Sequence, residues 1–383
     1  MKLKSVIIEL NNSCTWCLCN YCSANSIPYL SNKKLVISEE VLKSVIKDLI
    51  DLGVNEVEIS GGEPFTTPKQ LELALSEFLE HGVKVKIFTN LYVNDLTFFQ
   101  SKYSEILKLI IKGNELVEIH FPLNTLDLHK MKMFIRNDIT INFIGKDRIY
   151  NLLINYLNTI LRNMCILLEY EVPLGIHFLI TRINYLDFPN IVEFAESYGI
   201  KYVSFLRLVK HGRAVKYWNE LVLSEKDWFE FFRRLEWYLL DYNKNVTLRF
   251  GCPINWFFLL RPVTVAEKIM SNPSVKLGFK CIGGVEHICI TPDLSIYPCV
   301  GAKGIEKLKI CNLTEITKLH DVFGTNGFEE YLRLKEEMIS EKCRKCIWFI
   351  KGICDSKCLV QKLTNENIFD KKRDILCSIL NYE

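Results

Sequence analysis

Two hydrophobic periods alternate through the first half of the chain. Apolar runs of strand type recur at Val6–Leu10, Val54–Ser60, Val83–Thr89, Glu115–Phe121, Gly175–Thr181 and Lys201–Val209; where they alternate with period two, they mark half-buried strands. Helical spacing fills the gaps. Ser38 is placed to cap a helix whose apolar positions are Val41, Leu42, Val45, Ile46, Leu49 and Ile50, and Gly53 stops it. Thr67-Pro68 offers an N-cap followed by proline at the first helical position, and that helix runs to about Gly82. Further helices are predicted over Leu96–Ile111, Arg148–Asn163 and Phe188–Tyr198, with Gly199 as the last stop and Pro122–Asp147 irregular. Six successive βα units imply parallel strands with helices outside. The expected fold class is α/β, a partial (β/α)6 TIM-like barrel or an open doubly wound sheet, because six units are too few for eight strands. Either form places chemistry at the C-terminal ends of the strands.

The pattern changes after about residue 215. Ser224 and Asp227 fit a capping box ahead of an aromatic-rich helix containing Trp228, Phe229, Phe232, Leu235, Trp237 and Tyr238. From about residue 276 the chain is rich in Gly, Pro and Cys, with short elements. A core that small needs metal staples. The expected organisation is a barrel over 1–215, a bridging segment over 216–275 and a cysteine-rich domain over 276–383.

The 383 residues are 49% hydrophobic and 24% charged, with a net charge of +3. That supports a sizeable core and excludes disorder. It offers no basic surface for nucleic acid or membrane, and neither is expected as a partner. No apolar stretch reaches the roughly 18 residues that span a bilayer. The opening MKLKSVIIEL lacks signal-peptide architecture, so a soluble cytoplasmic protein is expected. There are 15 cysteines, an odd number that a purely paired disulfide framework cannot use up. Their clustering points to metal instead.

Cys14, Cys17, Cys19 and Cys22 follow the first strand directly, in NNSCTWCLCNYCSAN. Thiolates at this density suit an iron–sulfur cluster, zinc or a redox CxxC. Cys14-x4-Cys19-x2-Cys22 supplies three ligands, which leaves one iron of a [4Fe–4S] cluster open. Cys17 is the alternative first ligand, but Cys17-x-Cys19 is a tight reach for two corners of one cube. The second strand ends in Ile59-Ser60-Gly61-Gly62-Glu63-Pro64. Glycines there allow close approach to the backbone, and exposed carbonyls with a carboxylate suit an ammonium group.

The run Cys19-Asn20-Tyr21-Cys22, with an aromatic before its last cysteine and the Gly61–Pro64 turn about forty residues on, resembles the radical SAM enzymes. Their loop usually reads CX3CX2C; this one carries one extra residue when counted from Cys14. The resemblance implies that Cys14, Cys19 and Cys22 hold a [4Fe–4S] cluster and that Gly61, Gly62, Glu63 and Pro64 bind the amino group of S-adenosyl-L-methionine (SAM). Thr89-Asn90 resembles the family's third strand end, with Leu91 where Gly is usual. Thr181-Arg182-Ile183-Asn184 resembles its fifth strand end, near the cofactor ribose and carboxylate. Arg207 and His211–Ala214 resemble the segment after strand six. Thr89, Asn90, Thr181, Asn184 and Arg207 are accordingly expected at the cofactor. His120 stands where Ser is common and is expected to be a buried, hydrogen-bonded histidine. No general acid or base is assigned.

Cys281-x17-Cys299, Cys343-x2-Cys346-x7-Cys354-x3-Cys358 and Cys377 resemble the SPASM extension of these enzymes, which holds two auxiliary [4Fe–4S] clusters. Thr291–Cys299 matches its hairpin, with Leu294 in place of Gly, and the Cys346–Cys354 gap is longer than usual. The resemblance implies Cys343, Cys346, Cys354 and Cys377 at one cluster, and Cys281, Cys299 and Cys358 at the other. Cys252 is the first choice for the fourth ligand of the latter, with Cys289 and Cys311 as alternatives; with no fourth ligand that cluster has an open iron. A double zinc ribbon is the alternative reading of these spacings. Cys165, in an apolar run, is expected to be a core thiol. The implied activity is reductive cleavage of SAM to a 5′-deoxyadenosyl radical, which abstracts hydrogen from a peptide or protein. A small metabolite or tetrapyrrole is the alternative substrate, and a non-catalytic zinc or iron–sulfur scaffold is the alternative class. The implied partner is an electron donor such as flavodoxin or ferredoxin. No separate peptide-binding domain is recognisable ahead of the barrel.

Overall fold

The computed structural model describes residues 3–93, 103–137, 146–250, 263–277, 281–350, 352, 355 and 358–364. The principal strands are β1 (Ser5–Glu9), β2 (Glu56–Ser60), β3 (Lys84–Phe88), β4 (Val117–Pro122), β5 (Leu174–Ile180), β6 (Tyr202–Arg207), β7 (Thr247–Phe250), β8 (Val275–Leu277), β9 (His287–Ile290), β10 (Ser295–Tyr297) and β11 (Cys311–Asn312). The helices that matter below are α1 (Glu39–Asp51), α2 (Pro68–Glu80), α3 (Ser104–Lys112), α4 (Lys146–Glu169), α5 (Phe188–Ser197) and α6 (Glu225–Leu240). The chain divides into two compact units, each discontinuous in sequence.

The first unit comprises Met1–Pro122, Lys132–Gly175 and Ile282–Tyr331. Its sheet runs β4-β3-β2-β1-β9-β10-β11. β1 pairs in parallel with both β2 and β9, with Ile7 opposite Glu58 on one side and Cys289 on the other. The register gives the sheet two unlike faces. Val6, Ile8, Val57, Ile59, Val85, Ile87, Val117 and Ile119 are buried on one face; α2 packs on β3, and α1 packs beside α2. Each such aliphatic side chain contributes roughly 1.5–3 kcal/mol. The alternate positions include Glu9, Glu58, Lys86, Glu118 and His120, a polar set. α1 forms as its spacing demands: the Ser38 side chain accepts from the Val41 N–H, and Leu42, Val45, Ile46 and Leu49 are buried.

The second unit comprises Leu123–Met131, Ile176–Cys281 and Leu332–Glu383. Its strands run β8-β7-β6-β5. β7 pairs in parallel with β6 and with β8, so parallel strands continue past residue 215, where the periodicity had faded. They are three and four residues long, too short to show a period. The capping box of α6 is present, with Ser224 and Asp227 bonded reciprocally.

Other differences are local. Pro122–Asp147, expected to be irregular, holds a short helix at Leu128–Met133. α4 extends beyond Arg148–Asn163 at both ends. The helix expected over Leu96–Ile111 is observed as α3, and residues 94–102 lie outside the described residues. Cys165 is exposed rather than in the core. It falls on the outer face of α4, while its apolar neighbours Met164 and Leu167 turn inward.

Candidate active site

Beyond β1 the backbone runs straight against the turn that follows β2. The Gly62 N–H donates to Asn11 O and the Glu63 N–H to Ser13 O, both at 2.8 Å. The buried Asn11 side chain completes the seam. Its Nδ2 donates to Glu63 O at 3.0 Å and to Thr67 Oγ1 at 3.1 Å, and its Oδ1 accepts from the Ser13 N–H at 2.9 Å. The glycines are required by this approach. A β-carbon on Gly62 would lie 2.0 Å from Ser13 O, and one on Gly61, at φ 134°, 2.5 Å from Asn11 O. The group that comes so close is the start of the cysteine loop itself.

Glu63 is 0% exposed. Its Oε1 accepts from Thr89 Oγ1 at 2.8 Å and from the Phe65 N–H at 3.2 Å, and its Oε2 from the Asn90 N–H at 2.8 Å. Burial pushes its pKa up to about 7, against the pull of these three donors. The carboxylate therefore ties the end of β3 to the turn after β2. Asn90 continues the chain of contacts, with Nδ2 donating to Cys14 Sγ at 3.3 Å. Leu91 follows at φ 52°, held by Asn163 Nδ2, which donates to Leu91 O at 2.7 Å.

The cysteine loop is laced to residues 133–136. Asn20 Nδ2 donates to Met133 O at 2.9 Å, and the Asn20 N–H to Phe134 O at 3.0 Å. Trp16 stacks on Tyr156 of α4 with ring centroids 3.9 Å apart, and meets Tyr92 edge-on at 5.1 Å. Burial pushes the Cys14 thiol well above its ordinary pKa, and the charges of Glu63, Cys19 and Cys22 push it further. Tyr156 is raised by burial and then by Cys19, Cys14 and Glu63. Tyr21 is raised by burial of its hydroxyl end and by Cys19, to which that hydroxyl is bonded. Cys17 is differently engaged: its thiol donates to Ser26 O at 2.8 Å.

Among the described residues no three His, Cys, Asp or Glu side chains converge closely enough to hold a single metal ion. A cubane cluster takes each thiolate at a separate iron. Cys14, Cys19 and Cys22 fit such a group: they are near enough for the latter two to raise the first, a mutual repulsion that bound iron relieves. Sequence reasoning missed Asn11, Trp16, Tyr156 and Asn163. Tyr156 and Asn163 lie seven residues apart, one helical face of α4, and that spacing was the available signal. It also missed Lys303, whose ammonium pairs with the buried Glu9 at the end of β1.

Other expected residues lie elsewhere. Thr181 and Asn184 are buried in the second unit and bond to each other, Thr181 Oγ1 donating to Asn184 Oδ1 at 2.7 Å. Asn184 Nδ2 donates to Asn124 O at 2.7 Å and Leu179 O at 2.9 Å, so it locks the turn after β5. Arg207 ends β6 and is buried. His120 is buried, with Nε2 3.0 Å from Glu118 Oε2 and its ring against Gly175, where a β-carbon would lie 2.4 Å away.

Of the later cysteines, Cys299 caps a short 3-10 turn in the first unit. Cys289 and Cys311 are buried on strands of that unit. In the second unit the Cys343 N–H donates to Ser340 Oγ at 3.1 Å, and the Cys346 N–H to Cys343 O at 3.0 Å. The Cys281 N–H donates to Asp355 Oδ2 at 3.0 Å, which ties that segment to one three residues before Cys358. Cys252, Cys354 and Cys377 lie outside the described residues.

A thiol loop joined to a glycine turn at the C-terminal ends of parallel strands defines a class of α/β cofactor enzymes. Residues 8–195 match the radical SAM superfamily, and this part of the chain is a radical SAM domain. The PqqA peptide cyclase of Bradyrhizobium diazoefficiens is 32% identical over 102 residues, 27% of this chain and 25% of that protein. The match thus spans about a quarter of that relative's length. Streptococcus suis SuiB bound to its precursor peptide SuiA superposes with a TM-score of 0.65 at 17% identity, over 98% of this chain and 76% of SuiB. Native anSMEcpe with bound S-adenosylmethionine and Cp18Cys peptide superposes with the same score and identity, over 98% of this chain and 94% of that one. These likenesses show the fold: α/β, mainly parallel, of the partial TIM-like barrel type.

Proposed function

We propose that the protein is a radical SAM enzyme that abstracts hydrogen from a peptide or protein substrate. The observation that carries this reading is the seam between Asn11–Ser13 and Gly61–Glu63, which fixes the cysteine loop against the turn expected to bind SAM. Cys14, Cys19 and Cys22 are the proposed cluster ligands. Their mutual effect on the Cys14 thiol and the separate engagement of Cys17 support this choice. With a reduced [4Fe–4S] cluster and SAM bound, the cofactors supply methionine and a 5′-deoxyadenosyl radical. The chain's own residues do the rest. Glu63 holds the β2 and β3 ends together, the Gly61–Pro64 turn receives the amino group, and Trp16, Tyr92 and Tyr156 wall the loop with aromatic surface that excludes water.

The peptide reading is supported by PqqA peptide cyclase and by the peptide-bound SuiB and anSMEcpe structures. The later cysteines are the proposed ligands of two auxiliary clusters, in the grouping implied by the SPASM resemblance. Thr181, Asn184 and Arg207 are proposed as cofactor-binding residues on the family resemblance alone. The electron donor is a flavodoxin or ferredoxin, and the setting is the cytoplasm. The test is anaerobic reconstitution with iron and sulfide, followed by reduction in the presence of SAM. 5′-Deoxyadenosine is expected, and a peptide substrate gains a mass loss of hydrogen in the same reaction. Turnover of a small metabolite with no peptide product moves the substrate class, and intact clusters that leave SAM uncleaved sink the enzyme reading.

A further inference from the structure

We propose that Asn90 donates a hydrogen bond to the Cys14 thiolate of the N-terminal cluster and, as a positioning residue, sets the reduction potential of that cluster. The inference rests on the reading of Cys14 as a cluster ligand. Asn90 Nδ2 lies 3.3 Å from Cys14 Sγ and 3.2 Å from Thr15 Oγ1. The identity of the atom facing the sulfur follows from the network. The Tyr92 N–H donates to Asn90 Oδ1 at 2.7 Å, so the oxygen is committed on that side and the amide NH2 is left to face Cys14.

The residue is also fixed at its backbone. The Asn90 N–H donates to Glu63 Oε2 at 2.8 Å, and the next residue is held in its left-handed conformation by Asn163. A side chain gripped at both its oxygen and its backbone presents the donor in one place. One carboxylate thus links the turn after β2 to the donor on Cys14 through a single residue.

The consequence is electrostatic. A cluster gains negative charge on reduction, and an N–H aimed at one of its sulfurs favours the more negative form. The partly buried setting strengthens that preference relative to water. Asn90 therefore makes the cluster easier to reduce by a given electron donor. Asn90→Ala removes the N–H, and Asn90→Asp keeps the acceptor for Tyr92 while replacing the donor with a negative oxygen.

The test is potentiometric titration of the reconstituted full chain. The N-terminal cluster is identified as the signal lost in Cys22→Ala. Asn90→Ala is expected to lower the ratio of reduced to oxidised cluster about tenfold at a fixed potential near the wild-type midpoint, a shift of about 59 mV for one electron. Asn90→Asp is expected to move further in the same direction. An unchanged midpoint in Asn90→Ala at wild-type iron content overturns the proposal. Should the variants fail to load, pulsed EPR of the wild type carrying asparagine labelled with nitrogen-15 in its side chain decides. A coupling between that nitrogen and the reduced cluster is expected, and its absence overturns the proposal. Failure of the underlying reading looks different: wild type and Cys22→Ala would then hold equal iron.

Discussion

Leu91 and Leu294 adopt φ of 52° and 66°, a region where a β-carbon is crowded. Both stand where the resembled family usually carries glycine, and both adopt the left-handed backbone that glycine favours. Their substitutions should part company. Leu294 is half-exposed at the β9–β10 turn, and Leu294→Gly should stabilise the metal-free chain by about 1 kcal/mol as the strain is relieved. Leu91 is fully buried, and Leu91→Gly should destabilise by roughly 2–5 kcal/mol as the cavity outweighs the strain. Urea unfolding reads both. Glu63 gives a pH dependence. Its pKa is near 7 in the folded chain and about 4.5 or below when unfolded. Between those values the folded state holds the extra proton, so stability falls as pH rises from about 4.5 to 7 and then levels. Glu63→Gln should flatten that part of the profile in denaturation midpoints measured without metal. Among the thiols, Cys19→Ala and Cys22→Ala should abolish SAM cleavage while Cys17→Ala spares it. A dead Cys17→Ala beside an active Cys14→Ala would mean the loop has been read in the wrong register.

At the scale of elements, the seam between loop and turn is the feature most exposed to test. Gly62→Ala sets a β-carbon against the Ser13 carbonyl, so backbone must move at the first cysteine. The expected result is a folded chain, by far-UV circular dichroism, that loads less iron than wild type; normal loading and SAM cleavage would contradict the seam's role. The amphipathic helices and strands β1 to β4 were legible because each is a patterned run of five or more residues, with α1 showing it at Leu42, Val45, Ile46 and Leu49. β7 and β8 were not, being too short to show alternation. The glycine turn was legible as a point of close approach to the backbone, yet its physical reason was not. Sequence suggests that a ligand approaches Gly62, and only the fold shows that Ser13 does. The burial of Glu63 was not legible either, because it depends on donors at Thr89 and Asn90, remote in sequence.

For the whole molecule, the cysteines divide between the two units, with Cys14, Cys19, Cys22 and Cys299 in the first and Cys281, Cys343, Cys346 and Cys358 in the second. The cysteine spacing made a metal-binding reading legible, because thiols at such density have few other uses; the clusters themselves are proposed. The grouping of the later ligands was not, since spacing carries no contact geometry. Three cubane clusters require about twelve irons per chain and little zinc. The central claim is that Cys14, Cys19 and Cys22 serve SAM cleavage. The most direct measurement is 5′-deoxyadenosine formed by the anaerobically reconstituted chain on reduction with SAM, compared with Cys22→Ala. The account predicts 5′-deoxyadenosine from wild type and none above background from the variant; a wild-type chain with its full iron content and no 5′-deoxyadenosine would contradict it.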